Sequence, residues 1–102
     1  MSGYVLHPEA SSDLESIWEF IAKVSVDAAD RVLQEIRRAI TELVAFPTQG
    51  HPRPDLTSQP LRFQVVCDYL IAYAPDERPL LVVGVLHGRR SPRVIAAVLR
   101  AR

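Results

Sequence analysis

Apolar residues in the first half of the chain repeat with the spacing of a helix. A short apolar segment, Tyr4–Leu6, predicts a strand, and Pro8 with Glu9 behind it has the pattern of a helix start. The helix that follows has its apolar positions three or four residues apart, at Ala10, Leu14, Ile17, Trp18 and Ile21. The acidic residues between them are expected to point outward: Asp13, Glu15 and Glu19.

A second amphipathic helix is predicted after a very short link. Ser25 and Asp27 have the composition of a helix break and N-cap, and Pro47 is expected to end the element. Its apolar positions again repeat at helical spacing, at Ala29, Val32, Leu33, Ile36, Ile40 and Leu43. Two amphipathic helices joined in this way predict an antiparallel helical hairpin.

The second half has the pattern of strands. Residues 47–60 contain four prolines and predict a loop. Beyond it, the apolar residues Leu61, Phe63, Val65 and Cys67 alternate with Arg62, Gln64 and Asp68, which predicts a strand with one buried face. Residues 69–74 predict another strand, and the continuous apolar run at residues 80–86 predicts a strand buried on both faces.

These elements together predict an α+β fold. Three consecutive strands joined by short turns favour an antiparallel meander. Ser91-Pro92 has the pattern of a helix start, and Val94, Ile95, Val98 and Leu99 behind it predict a short C-terminal helix. We therefore expect one domain over residues 1–102, with an N-terminal strand, an antiparallel helical hairpin on one sheet face, a three-stranded antiparallel meander and the short closing helix.

Composition narrows the setting of this domain. The chain has 102 residues and one cysteine, with no charged start followed by an apolar run and no apolar stretch of 18 residues. A cytoplasmic protein without a signal peptide or membrane span is the expectation. The net charge of zero conceals an asymmetry, because residues 1–50 carry a formal charge of −4 and residues 51–102 carry +4. The basic second half favours an acidic or phosphorylated partner.

The spacing of histidine, cysteine and glycine residues gives no support to a metal, nucleotide or thiol active site. The histidines His7, His51 and His87 have no metal-ligand spacing with Cys67, so no metal is expected. With four glycines and no phosphate-binding fingerprint, no nucleotide cofactor is expected either. A nucleophilic pair of Cys67 with His87 is conceivable, but Cys67 is expected on a buried face, which favours a structural thiol.

One group of cationic residues remains as a candidate site. His87, Arg89 and Arg90 follow the buried strand at residues 80–86, and a meander could bring Arg62 to the same sheet surface. Guanidinium groups held there suit recognition of an anion. General acid–base cleavage of RNA by Arg62, His87 and Arg89 is an alternative. The structural alternatives are a solvated basic turn, or pairing of Arg89 with Asp68 or Asp76.

The chain resembles toxins of the RelE/ParE superfamily, the toxic halves of bacterial type II toxin–antitoxin modules. The resemblance covers nearly the whole sequence and depends on the order of several short motifs rather than on any one of them. The motifs are YVLHPEA at residues 4–10, PTQGHPRPDL at 47–56, YLIAY at 69–73 and VLHGRR at 85–90. The implied fold is the RelE/ParE-like α+β fold.

The superfamily divides into two functional branches. The RelE-like branch implies a ribosome-dependent endoribonuclease that cleaves mRNA with linker lysines, arginines and a late tyrosine on a basic protein. This chain has no tyrosine after Tyr73, no lysine in residues 47–60 and no net positive charge. These differences favour the ParE-like branch, whose members inhibit DNA gyrase by binding rather than as enzymes and whose genes stabilise plasmids. A member that has lost toxicity and serves only in transcriptional autoregulation is a third alternative.

The ParE-like resemblance also implies partners. The expected antitoxin is a ParD-like ribbon-helix-helix protein in a hetero-oligomer with this chain, through which alone the chain would contact operator DNA. Its disordered segment is expected to fold on binding and to place acidic groups near the basic second half. We expect it to contact an apolar groove on the helical hairpin formed by Leu14, Trp18, Ile21, Ile36 and Ile40. The gyrase-binding residues would be Arg62, His87, Arg89 and Arg90.

Overall fold

The computed structural model describes residues 3–102, which form a four-stranded sheet between two layers of helix. The α+β architecture predicted from the sequence is confirmed. The elements in chain order are β1 (Tyr4–Leu6), α1 (Pro8–Ala22), α2 (Val26–Ala45), β2 (Arg62–Val66), β3 (Tyr69–Ala74), β4 (Leu80–His87) and α3 (Pro92–Arg100).

Local side-chain bonds explain where the helices begin. His7 precedes α1, and its Nδ1 accepts a hydrogen bond of 3.0 Å from the backbone N–H of Glu9. Ser25 and Ser91 cap α2 and α3 in the same way, since each hydroxyl accepts from the N–H three residues further along. Each bond satisfies one of the N–H groups that the first turn of a helix leaves without a partner.

The sheet has the strand order β1-β4-β3-β2. The meander of β2, β3 and β4 is antiparallel, as expected, whereas β1 lies parallel to β4. The pairing of β1 covers only Leu80–Val82 of β4, so most of that edge of β4 has no neighbouring strand among the described residues. The candidate site lies along this open stretch.

Side chains of β3 alternate between two hydrophobic clusters, one on each face of the sheet. Tyr69, Ile71 and Tyr73 pack beneath the α1–α2 hairpin. Leu70 and Ala72 pack beneath α3 on the opposite face. The period of two in a strand produces this division, and it explains why β3 and β4 are apolar throughout.

Two residues that were predicted on the buried face of this strand, Val65 and Cys67, are exposed instead. Leu61 and Phe63 are buried as expected, but Val65 is 66% exposed. Cys67 lies outside the strand, in the turn between β2 and β3, with a φ of 54° and an exposed side chain. β2 is an edge strand, and Val65 borders an open groove. The alternating apolar pattern therefore extends beyond the part of the strand that is packed.

The proline-rich loop is fixed to the sheet by Tyr73. The Tyr73 hydroxyl donates to the carbonyl of Pro47 at 2.6 Å and accepts from the N–H of Gly50 at 2.9 Å. A Cβ at position 50 would lie 2.6 Å from that hydroxyl and 2.8 Å from the carbonyl oxygen of Phe63, so only glycine fits there. Desolvation raises the pKa of Tyr73, which keeps the phenol protonated as the donor.

No helix within residues 3–102 combines the length and the apolar character that crossing a membrane requires.

Candidate functional site

The cationic segment predicted from the sequence forms the turn after β4. His87, the last residue of β4, is half-exposed and contacts the ring of Tyr69 edge-to-face, with 5.4 Å between centroids. Its Nδ1 accepts a hydrogen bond of 3.2 Å from the N–H of Arg89, and the N–H of Gly88 donates to the carbonyl of Asp68 at 2.8 Å. These bonds hold the backbone from which Arg89 and Arg90 project.

The guanidinium groups of Arg89 and Arg90 are exposed and have no acidic partner within residues 3–102. In particular, Arg89 forms no ion pair with Asp68 or Asp76, so the structural alternative considered for it is wrong. In the hydrogen bonds that hold this turn, Arg89 and Arg90 use their backbone N–H groups and not their guanidinium groups. The two side chains are therefore available to an anionic group from outside the chain.

Arg62 does not join this cluster, which corrects the expectation that the meander would bring it there. Arg62 begins β2 and pairs with Tyr73, whereas His87 pairs with Tyr69 at the other end of β3. Four residues of strand separate these positions, or about 13 Å. The Arg62 Nη1 donates to the carbonyls of Gly50 at 2.7 Å and Thr48 at 3.3 Å, so its guanidinium holds the loop instead.

A groove of about 650 Å³ runs from this turn along the open edge of β4. It lies between α1, which contributes Ile17 and Phe20, and α3, which contributes Val98. His87, Arg89 and Arg90 lie at one end, and Asp13 and Arg102 also border it. The groove therefore combines apolar walls with cationic groups.

Asp13 and Arg102 form an ion pair that the sequence pattern did not indicate. The Arg102 guanidinium donates to both carboxylate oxygens of Asp13, at 2.7 and 2.9 Å, and to the carbonyl of Val83 at 3.1 Å. The same carboxylate accepts from the N–H of Val85 at 2.9 Å. The two side chains thus satisfy backbone groups of β4 beyond the end of β1.

The position of Asp13 corrects its assignment as an outward-facing acid. Its side chain is only 16% exposed and that of Arg102 only 7%, and the paired carboxylate raises the pKa of the guanidinium. A Cβ on Gly84 would collide with Arg102 Nη1, so the glycine within the apolar strand makes room for the guanidinium. In the sequence, a glycine within the apolar run of β4 was the signal that another group approaches this strand closely.

The hairpin surface differs from the one expected to bind an antitoxin. Leu14, Ile36 and Ile40 are buried in the core because they face the sheet. Ile36 and Ile40 therefore do not line an exposed groove, which corrects the expectation for these two residues, whereas Leu14 still borders an outer groove of the hairpin. Trp18 and Ile21 remain partly exposed. The indole Nε1–H of Trp18 donates to Asp30 at 2.8 Å and thereby joins α1 to α2.

An outer groove of about 410 Å³ crosses the hairpin beside Trp18 and Leu33. Near the turn between the helices, Phe20 is 70% exposed and Val24 is 92% exposed. Apolar side chains on the surface of a small domain favour a protein partner. The hairpin therefore still offers an apolar surface, to which Leu14, Trp18 and Ile21 of the predicted set contribute together with Leu33 and Val24.

Comparisons with known proteins identify the relatives of this fold. The family model described as "ParE toxin of type II toxin-antitoxin system, parDE" matches residues 4–92. No curated protein sequence matches significantly. Among solved structures, one titled "Chromosomal ParDE TA system from P. aeruginosa" has a similar fold, with a TM-score of 0.67, 16% identity, and coverage of 82% of this chain and 92% of that chain.

Proposed function

Since the chain belongs to the ParE toxin family of type II toxin–antitoxin systems, we propose that it inhibits DNA gyrase by binding and that a cognate ParD-like antitoxin neutralises it in the cytoplasm. The observation that carries the gyrase proposal is the pair Arg89 and Arg90, which project beside an apolar groove and have no acidic partner among residues 3–102. Together with His87 they supply cations for an acidic or phosphate-bearing surface. Arg62 is not part of the proposed contact surface.

Binding explains these residues better than RNA cleavage does. The three residues proposed for a nuclease are not assembled, because Arg62 and His87 lie on opposite sides of β3 and about 13 Å apart along the strand direction. One ring nitrogen of His87 already accepts a backbone hydrogen bond. A chain of zero net charge also lacks the electrostatic attraction that dominates binding to RNA.

The proposed antitoxin surface is the outside of the helical hairpin. Trp18, Ile21 and Leu33 are partly exposed there, and Val24 extends the apolar area toward the turn between the helices. A ribbon-helix-helix antitoxin with a segment that folds on binding fits such a surface. In this proposal the two proteins form a hetero-oligomer, and operator DNA is contacted through the antitoxin alone.

The gyrase proposal is tested by replacing Arg89 and Arg90. We expect Arg89→Ala with Arg90→Ala to abolish growth arrest and the DNA-damage response in cells expressing the chain without antitoxin. Lysines at both positions should restore only part of the effect, because an ammonium cannot reproduce the guanidinium fork. The matched control is Arg93→Ala with Arg100→Ala, which removes two exposed arginines of α3 outside the groove.

The outcomes separate the alternatives. Loss of toxicity should occur with less than about 1 kcal/mol lost from the free energy of unfolding, since both side chains are exposed. A large stability loss would instead assign these arginines to the fold. Prompt mRNA cleavage at the ribosomal A site with undamaged DNA would refute gyrase inhibition and support the nuclease alternative.

The antitoxin proposal has a separate test. A ligand that binds only the folded state raises stability by mass action, so a saturating antitoxin should increase the Tm of the chain measurably. Trp18→Ala should weaken that shift, whereas the exposed control Glu42→Ala on the same hairpin should not. An unchanged Tm in the presence of the antitoxin would contradict this part of the proposal.

A further inference from the structure

The outer edge of β4 is satisfied by three different parts of the chain. β1 pairs with Leu80–Val82, and the N–H of His7 donates to the carbonyl of Val82 at 2.9 Å. The side chains of Arg102 and Asp13 then bond the carbonyl of Val83 and the N–H of Val85. Beyond Val85, no strand or side chain among residues 3–102 covers this edge.

Two backbone groups remain open beyond that point. Since the Val85 N–H points outward to Asp13, Val85 and Ile71 form a non-hydrogen-bonded pair of the antiparallel ladder. Pairs alternate along the ladder, so His87 opposite Tyr69 is also a non-hydrogen-bonded position. The Val85 C=O and the His87 N–H therefore point into the groove, while the His87 C=O is bonded by the Arg90 N–H.

We propose that this edge binds an extended peptide segment of a partner protein, running parallel to β4 and carrying acidic residues at its C-terminal end. In a parallel pair, one residue donates to the carbonyl of residue i−1 of its neighbour and accepts from the N–H of residue i+1. The open C=O of Val85 and N–H of His87 stand in that relation on either side of Leu86. Antiparallel addition would need the Val85 N–H, which Asp13 already occupies.

The walls of the groove specify the side chains of this segment. A peptide residue paired with Leu86 would place its side chain on the α3 face, near Val98, because paired residues of adjacent strands point to the same face of a sheet. The residues before and after it would point to the α1 face, toward Ile17 and Phe20. Three apolar residues in succession therefore fit the groove, and they would cover the exposed ring of Phe20.

Charge sets the direction of the segment. A parallel segment passes toward the turn after β4, so the residues that follow the apolar three lie near Arg89 and Arg90. Carboxylates there would pair with guanidinium groups that have no partner within residues 3–102. The sugar–phosphate backbone of a nucleic acid has no N–H donor for the open C=O of Val85, so the peptide is favoured. This inference concerns the mode of binding and does not depend on gyrase being the target.

The test uses a capped synthetic peptide of three valines followed by three glutamates, added to the whole chain labelled with ¹⁵N. We expect saturable binding with chemical shift changes at His87 and its neighbours, and slower hydrogen exchange of the His87 amide. Methylating the backbone nitrogen of the middle valine removes the donor to the Val85 C=O. That peptide should bind at least about fivefold more weakly, as loss of one hydrogen bond with added steric bulk requires.

Two further comparisons test direction and charge. A peptide with three glutamates before three valines should bind at least about fivefold more weakly, because its carboxylates lie away from Arg89 and Arg90. Replacing both arginines by alanine should weaken the original peptide, whereas Arg93→Ala with Arg100→Ala should not. Equal binding of the methylated or reversed peptide would overturn the proposal. Displacement of the peptide by an equimolar single-stranded oligonucleotide would also overturn it, and would identify a nucleic-acid site.

Discussion

Removing the guanidinium of Arg102 is the perturbation that tests the central ion pair of this structure. Arg102→Ala would leave the Asp13 carboxylate, which is 16% exposed, with the Val85 N–H as its remaining donor. It would also leave the carbonyl of Val83 without its donor. Breaking a buried pair by removing one partner costs about 3–5 kcal/mol.

The expected loss lies below that range, because Arg102 follows the last helix and water can reach the space its side chain vacates. We expect the free energy of unfolding to fall by about 2–3 kcal/mol. Unfolding entropy is about 2.1 cal/mol/K per residue, so for 102 residues each kcal/mol lowers Tm by about 5 °C. The expected decrease in Tm is therefore roughly 10–15 °C.

Thermal unfolding measured by calorimetry and circular dichroism at pH 7 gives the decrease directly. Arg100→Ala is the matched control, since Arg100 is exposed at the end of α3, and it should change stability by less than about 0.5 kcal/mol. A double-mutant cycle with Asp13→Asn should give a coupling energy of about 1–3 kcal/mol. A loss below about 1 kcal/mol in Arg102→Ala, or a coupling energy near zero, would refute the conclusion that this pair stabilises the edge of β4.

Two other substitutions test the burial and bonding of single residues. Tyr73→Phe should cost about 1–2 kcal/mol, because it removes the bonds to Pro47 and Gly50. Burial raises the pKa of Tyr73, so the stabilisation by its protonated phenol is present below about pH 10 and is lost as the pH rises above that value. Between about pH 7 and pH 11, the free energy of unfolding measured in urea should therefore fall less in Tyr73→Phe than in the parent protein. Leu14→Ala should cost about 2–5 kcal/mol of unfolding free energy, whereas Phe20→Ser should cost less than about 1 kcal/mol; equal losses in urea would contradict the burial assignments.

The elements of this fold follow from the sequence because their signals are local. Helical spacing of apolar residues locates α1 and α2, and the serines before α2 and α3 form the caps that their positions indicate. The apolar run that forms β4 identifies a strand covered on both faces, which the two clusters confirm. The order of short motifs was sufficient to indicate the family.

The site depended on which ends of these elements meet, and apolar spacing does not contain that information. Periodicity identifies the apolar face of a helix, but it does not indicate whether that face packs against the core or against a partner protein. Ile36 and Ile40 were therefore predicted in a groove, although the sheet covers them. Register along the meander placed Arg62 at the opposite end from His87.

The pairing of Asp13 with Arg102 joins residues 89 positions apart and is an entirely tertiary contact. An acid on a helix is ordinarily solvated, and only the short length of β1 leaves backbone groups of β4 for this pair to satisfy. The sequence by itself therefore determined the elements, their order and the basic turn after β4. The tertiary structure decided which charges are buried and which remain free, because burial depends on what packs against a residue rather than on the residue itself.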